Sequence, residues 1–169
     1  MAALHVAKIC ISDKITQVSS KGVALFSQSL SSPEAKRQHL SAGLLHPILV
    51  HVLEQAADNR AVVRQPAIGA YKKFLDLLKN KPEYCEYVEF LLSDRSYLKK
   101  VLKGSFRHAQ VRLLLFKEVL STNQQNIPIS GVVDYAIDAL AYPNADVRHQ
   151  AMEVIKAAYK KVGFTRLEK

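Results

Sequence analysis

Apolar residues fall on one side of a helix at several places along the chain. In the stretch 145–159 they are Val147, Ala151, Val154, Ile155, Ala158 and Tyr159, the spacing of a single helical face. Part of that face is alanine, which lets a neighbouring helix approach closely. The design recurs upstream. Ala61-Val62-Val63-Arg64 opens a segment with Ala67, Ala70, Tyr71, Phe74 and Leu75 at matching offsets. Ala109-Gln110-Val111-Arg112 opens another, continued by Leu115 and Val119, and a weaker copy begins at Val18 with Gly22, Leu25, Phe26 and Leu30. By this periodicity Tyr71, Phe74 and Tyr159 are core residues, not a platform for stacking bases. The anchors Val18, Val63, Val111 and Val147 lie 45, 48 and 36 residues apart.

Irregular repetition near ~40 residues marks helix-pair repeats of the HEAT and armadillo type. The pattern therefore predicts an all-α solenoid of about four helix pairs. Ser12-Asp13 forms the turn between a helix over 2–11 and one over 14–30, with Ser12 as N-cap. Ser31-Ser32-Pro33-Glu34 opens a further helix. The most apolar stretch, Leu44 to Leu53, contains Pro47, expected to kink it or mark its start. Asp58-Asn59-Arg60 then turns into a helix over 60–79, which Asn80-Lys81-Pro82 ends. A helix over 84–92 and a short basic one to about Lys103 follow. Gly104 is read as a left-handed cap, and Ser105 caps a helix over 105–120. Residues 121–126 read as an exposed loop. A last pair, 130–140 and 145–159, is joined by Tyr142-Pro143-Asn144. The turns inside pairs thus fall near 12–13, 57–60, 103–106 and 142–146. In solenoids such turns line up along one edge, and function is expected there.

Composition fits this picture. The 169 residues, 49% hydrophobic and 23% charged, suit one folded domain over 1–169. No stretch reaches the ~18 apolar residues a membrane span needs. His5 and Lys8 interrupt the apolar N-terminus and argue against a signal peptide. The chain opens as a helix already begun and closes without capping logic, so a domain within a longer protein is expected. A net charge of +9 calls for an acidic partner: a nucleic acid, an anionic membrane surface or an acidic protein. Cys10 and Cys85, with no CxxC, read as buried structural thiols of a reducing compartment, the cytoplasm.

No catalytic constellation emerges. His46 and His51 are five apart with no Glu between them, wrong for a helical metal-ligand pair. The glycine-rich phosphate motifs and the GxSxG elbow are absent. Glu83, Glu86 and Glu89 form a short acidic face that reads as solvated. The expectation is no enzyme, no metal and no cofactor.

The basic stretch says more. From Arg95 to Lys117 the charged residues are Arg95, Lys99, Lys100, Lys103, Arg107, Arg112 and Lys117, none of them acidic. It straddles the third turn, where Lys103, Phe106 and Arg107 would project. Most charge runs are solvated faces; this one coincides with the edge solenoids use. Arg64, Arg112 and Arg148 recur at one position of each repeat, as in the Asp–Arg ladder of HEAT repeats. Asp58 stands six residues before Arg64, the ladder offset, while Phe106 and Tyr142 occupy that offset for Arg112 and Arg148. Structure is favoured for Arg64 and left open for the other two.

The short first helix, turn and AxVR-type second helix resemble the TOG domains, HEAT-repeat modules of microtubule regulators that bind tubulin through their intra-repeat turns. The run from Val132 to Gly163, VVDYAIDALAYPNADVRHQAMEVIKAAYKKVG, is most similar to the final repeat of the TOG domain in the ciliary-tip centrosomal protein family. The resemblance implies a non-catalytic tubulin-binding domain of the cytoplasm and cytoskeleton, at a centrosome or cilium. It carries tubulin-facing roles to Lys14, to Asn59 and Arg60, to Lys103, Phe106 and Arg107, and to Asn144 and Arg148. It departs at two points. TOG domains typically have more repeats than the four counted here, and the Trp many place in the first turn has no counterpart, since the chain has none. The expected partner is αβ-tubulin or another acidic protein surface, with other regions of a longer parent chain. A general HEAT or armadillo adaptor, taking a peptide or helix in its groove, is the alternative. DNA handling is disfavoured by the missing Trp and the lack of a catalytic Asp in a basic turn.

Overall fold

The computed structural model describes residues 2–33, 42–93, 98, 105–122, 124 and 127–163. Among them are eight helices and no strand: α1 (Ala2–Ile11), α2 (Thr16–Ser29), α3 (Ala42–Ala56), α4 (Ala61–Leu78), α5 (Tyr84–Ser93), α6 (Ser105–Ser121), α7 (Ile129–Leu140) and α8 (Ala145–Val162). They read as four pairs, as the periodicity predicts. The chain divides into two compact units, Met1–Leu77 and Leu78–Lys169.

In the first unit α1 packs against α2 and α3. It buries Leu4, Ala7 and Ile11, while α2 buries Val23 and Phe26. Gly22 is what lets α1 and α2 touch: a Cβ there would lie 2.6 Å from the Ile11 nitrogen and 2.9 Å from the Cys10 carbonyl carbon. The core stripe of α4 is Val63, Ala67, Ala70, Tyr71, Phe74 and Leu75, all buried. Phe26 meets Phe74 at 6.4 Å between centroids, and Tyr71 meets Phe74 edge-on at 6.1 Å. This aromatic seam joins α2 to α4, each ring contributing roughly 1.5–3 kcal/mol by burial. In the second unit α8 packs on α6 and α7, burying Val147, Ala151, Val154 and Ala158. Phe116 of α6 and Tyr135 of α7 form an edge-to-face pair at 5.1 Å.

Several readings of the sequence are corrected here. Tyr159 is not core: it is 48% exposed, and Ile155 and Val18 are half-buried. Ser12 does not cap α2; its Oγ donates back to the Lys8 and Ile9 carbonyls at 3.0 Å each, closing α1. The N-cap of α2 is Ile15, without a side-chain hydrogen bond. Pro47 neither starts nor ends α3, which begins at Ala42; its missing N–H falls in the second turn. Pro66 occupies the equivalent sixth position of α4. Thr122 of the expected exposed loop is buried, its Oγ1 donating to the Val119 carbonyl at 2.7 Å. Its own carbonyl accepts from Lys161 Nζ. Both cysteines are half-buried rather than buried. The expected helix beginning near Pro33, the short basic helix and the Gly104 cap fall largely on residues outside those described.

The intra-pair turns as a candidate binding edge

Three intra-pair turns are built alike. Asp13 Oδ1 accepts from the Ile15 N–H at 2.7 Å, and Asp58 Oδ1 accepts from the Arg60 N–H at 2.7 Å. Asn144 Oδ1 accepts from Asp146 and Val147 at 2.9 and 3.2 Å. Each is a short side-chain acceptor holding the N–H two residues on, which reverses the chain and leads into the next helix. The residues between are forced outward, and Lys14 and Asn59 are exposed.

Arg60 binds the Asp58 carboxylate with two nitrogens, Nε at 3.0 Å and Nη2 at 2.8 Å. That bond, more than any other influence, holds the Asp58 carboxyl below its ordinary value, against the opposing effect of partial burial. The same guanidinium reaches Thr16 Oγ1 at 3.3 Å through Nη1. The first two turns of the first unit therefore stand side by side. Two apolar residues stand out beside them: Ile15 is 62% and Val62 78% exposed. The periodicity passed over both, because it was read for what is buried. Val62 lies one residue off the Val63 core phase, and that offset was the available signal.

Arg64 keeps the ladder offset but not the ladder chemistry. Its Nη1 donates to the backbone carbonyls of Asp58 and Asn59, at 2.9 and 3.0 Å, while the Asp58 carboxylate faces Arg60. Arg148 repeats this at the same offsets, donating to the Tyr142 and Pro143 carbonyls at 2.9 and 2.6 Å. Its partner was never missing; the acceptor is backbone, so Tyr serves at that position as well as Asp. Arg112 is buried, and its Nε reaches the Leu91 carbonyl near the end of α5 at 3.3 Å. It thereby satisfies an acceptor that a helix C-terminus leaves open.

Of the third-turn candidates, Lys103 lies outside the described residues. Phe106 and Arg107 sit half-buried in the first turn of α6, the Arg107 guanidinium carbon 5.0 Å from the Phe106 ring centroid. Asn144 caps α8, and Arg148 is exposed while holding its turn. Of the eight candidates, Lys14, Asn59 and Arg60 lie in the first unit and Phe106, Arg107, Asn144 and Arg148 in the second, with Lys103 undescribed.

The remaining chemistry is sparse. No group of three or more His, Cys, Asp or Glu that could hold a metal occurs among the described residues. His51 Nδ1 faces Glu54 Oε2 at 3.0 Å on the surface of α3. Burial, with Glu89 beside it, pushes the Cys85 thiol up, away from thiolate reactivity. No described helix is long and apolar enough to cross a membrane. A groove of about 490 Å³ runs between α2 and α4, lined by Val23, Ala24, Ser27, Gln28, Pro66, Gly69 and Ala70.

No family model matches the chain, and no curated protein does. Among solved structures it is similar to the TOG domain of human Cep104, with a TM-score of 0.65 and 22% identity over 99% of this chain. The chain spans 64% of the length of that structure. At this identity the likeness speaks for the fold, which is that of a TOG domain: an all-α solenoid of HEAT-like helix pairs.

Proposed function

We propose that residues 1–169 form one non-catalytic module that binds tubulin through its intra-pair turns and acts in microtubule or ciliary assembly. The observation that carries this reading is the paired edge of the first unit, where the Arg60–Thr16 hydrogen bond holds two turns together. Lys14 supplies positive charge there, Arg60 stands ion-paired with Asp58, and Ile15 and Val62 supply exposed apolar surface. The TOG-domain fold supports the assignment. Positive charge steers encounter with an acidic surface and orients it; desolvated apolar side chains supply most of the retained affinity. Arg60 arrives pre-organised by Asp58, so little rotamer freedom is lost on binding. Phe106 and Arg107 form the corresponding group in the second unit. The module is read as cytoskeletal, at a centrosome or cilium, with an acidic protein as partner and no cofactor.

The test is co-migration with purified αβ-tubulin in size exclusion, for wild type, Lys14→Glu with Arg107→Glu, and Ile15→Ser with Val62→Ser. Loss of the complex in both pairs of substitutions, with helical content unchanged, is expected. A complex that survives both excludes the turn edge.

The groove between α2 and α4 favours a second reading, a peptide adaptor, because it is mainly apolar and open. On that reading Gly69→Leu, which fills the groove, abolishes partner binding and the turn substitutions leave it intact.

A further inference from the structure

We infer that Thr16 is a phosphorylation site, where a protein kinase working from a nucleoside triphosphate places a phosphate that docks on Arg60. The Thr16 hydroxyl is used differently from its neighbours. Those of Ser12, Ser29, Ser93, Ser121 and Thr122 donate to backbone carbonyls three or four residues back along the chain. Thr16 Oγ1 instead accepts, at 3.3 Å, from Arg60 Nη1 in the next intra-pair turn. Asp58 engages Nε and Nη2 of that guanidinium, so Nη1 is the nitrogen it leaves to Thr16. A phosphoryl group on Oγ1 would bring charged oxygens onto this nitrogen, in the pairing that guanidinium makes best.

The surroundings admit both the group and the enzyme. The N-cap of α2 is Ile15, without a side-chain hydrogen bond, so the first-turn N–H groups stay open to a phosphate; in α8 Asn144 fills two of them. Asp13 and Asp58 on the same edge oppose the new charge, but Asp13 holds the Ile15 N–H and Asp58 holds Arg60. Residues 12–15 are exposed and Thr16 is half-buried, so a kinase reaches the hydroxyl by fraying one helical turn. In the transfer the bond from the γ-phosphorus to its bridging oxygen breaks and the bond to Thr16 Oγ1 forms. The hydroxyl proton passes to the kinase's base and the nucleoside diphosphate leaves. The product adds a charge of about −2 two residues from Lys14. The edge then repels an acidic partner instead of attracting it. That release rests on the tubulin reading; the docking on Arg60 does not.

The whole chain, recovered from eukaryotic cells with phosphatase inhibitors, is digested with trypsin, and fragment ions of peptide 15–21 separate Thr16 from Ser19 and Ser20. Phosphate on Thr16 is expected, and its absence there would overturn the site. Docking is read by phosphorus NMR on chains carrying phosphothreonine at 16 or, as control, phosphoserine at 130. Ser130 is exposed in the first turn of α7, so the control shares a helix start. The phosphate at 16 is expected to titrate about one pH unit below the control, and Arg60→Gln to move it back, with an unchanged circular dichroism spectrum. Equal titration at both sites, or a difference that Arg60→Gln leaves in place, would overturn the docking. In tubulin co-migration the phosphate at 16 is expected to weaken the complex about tenfold or more, and that at 130 to leave it unchanged. Equal binding by both would overturn the release. No complex from the unmodified chain would instead defeat the tubulin reading, with the docking still decided by the titration.

Discussion

Arg148 donates two hydrogen bonds to carbonyls that the reversing chain would otherwise leave to water. Arg148→Met should lower stability by about 1–2 kcal/mol, read as a shift of the urea midpoint at constant m-value. Arg148→Lys should fall between, since the shorter, flexible lysine keeps donors for both carbonyls but loses the fixed planar guanidinium that holds one nitrogen against them. An unchanged midpoint in Arg148→Met would show that the fork contributes nothing to the turn. Asp58 allows a test by pH. Its carboxyl is held below the ordinary value of 3.8 by Arg60, so the charged form is favoured in the folded state. The stability it adds is therefore complete above that value and lost as pH falls through the lower folded value. Asp58→Asn keeps an oxygen for the Arg60 N–H and removes the charge. The gap between wild type and variant should be constant from pH 7 to 5 and close as pH falls below 3.8. The six-residue spacing behind each Arg was legible in the sequence. The acceptor was not, because a backbone carbonyl leaves no mark in the residue it belongs to.

Between helices, two glycines separate packing from propensity. Gly22 sits where α1 crosses α2, and an added Cβ would meet backbone atoms that cannot rotate away. Gly22→Ala should therefore cost about 1–3 kcal/mol through forced separation of the helices, despite alanine's better helix propensity. Gly69 lies mid-α4, and a Cβ there would meet nothing within 4 Å. Gly69→Ala should stabilise by roughly 0.5–1 kcal/mol. Thermal melts of the two variants should move in opposite directions, and movement in the same direction would contradict the packing account. Periodicity located the helices to within a few residues, because α4 and α8 each bury mainly one side, whereas α6 buries Val111, Arg112 and Leu113 in a row and is covered over a wider arc. It failed at Tyr159, which stands about 100° round the helix from the buried Ala158 and is 48% exposed. It also failed at Ser12, because Ser and Asp stand together in that turn and composition cannot say which one takes the N–H.

Over the whole chain, the surplus of positive charge, +9, favours an acidic partner, and tubulin is the one proposed. The fold was legible from the repeated Val and Ala stripes. The candidate site was legible only in part: the turns were found by spacing, Ile15 and Val62 were passed over, and Arg60, Asn144 and Arg148 also hold the turns they were expected to project from. Arg60 is therefore a poor residue to reverse, since its loss would also disturb Asp58, whereas Lys14 is exposed in its turn. Association driven by these residues should weaken as salt rises, mainly through a slower on-rate. The most direct measurement is size-exclusion co-migration with αβ-tubulin at low and moderate salt, wild type beside Lys14→Glu with Arg107→Glu. The account predicts a complex at low salt, less of it at moderate salt, and none with the reversed charges. A complex that the reversal leaves untouched, or none at all from a folded, helical protein, would contradict it.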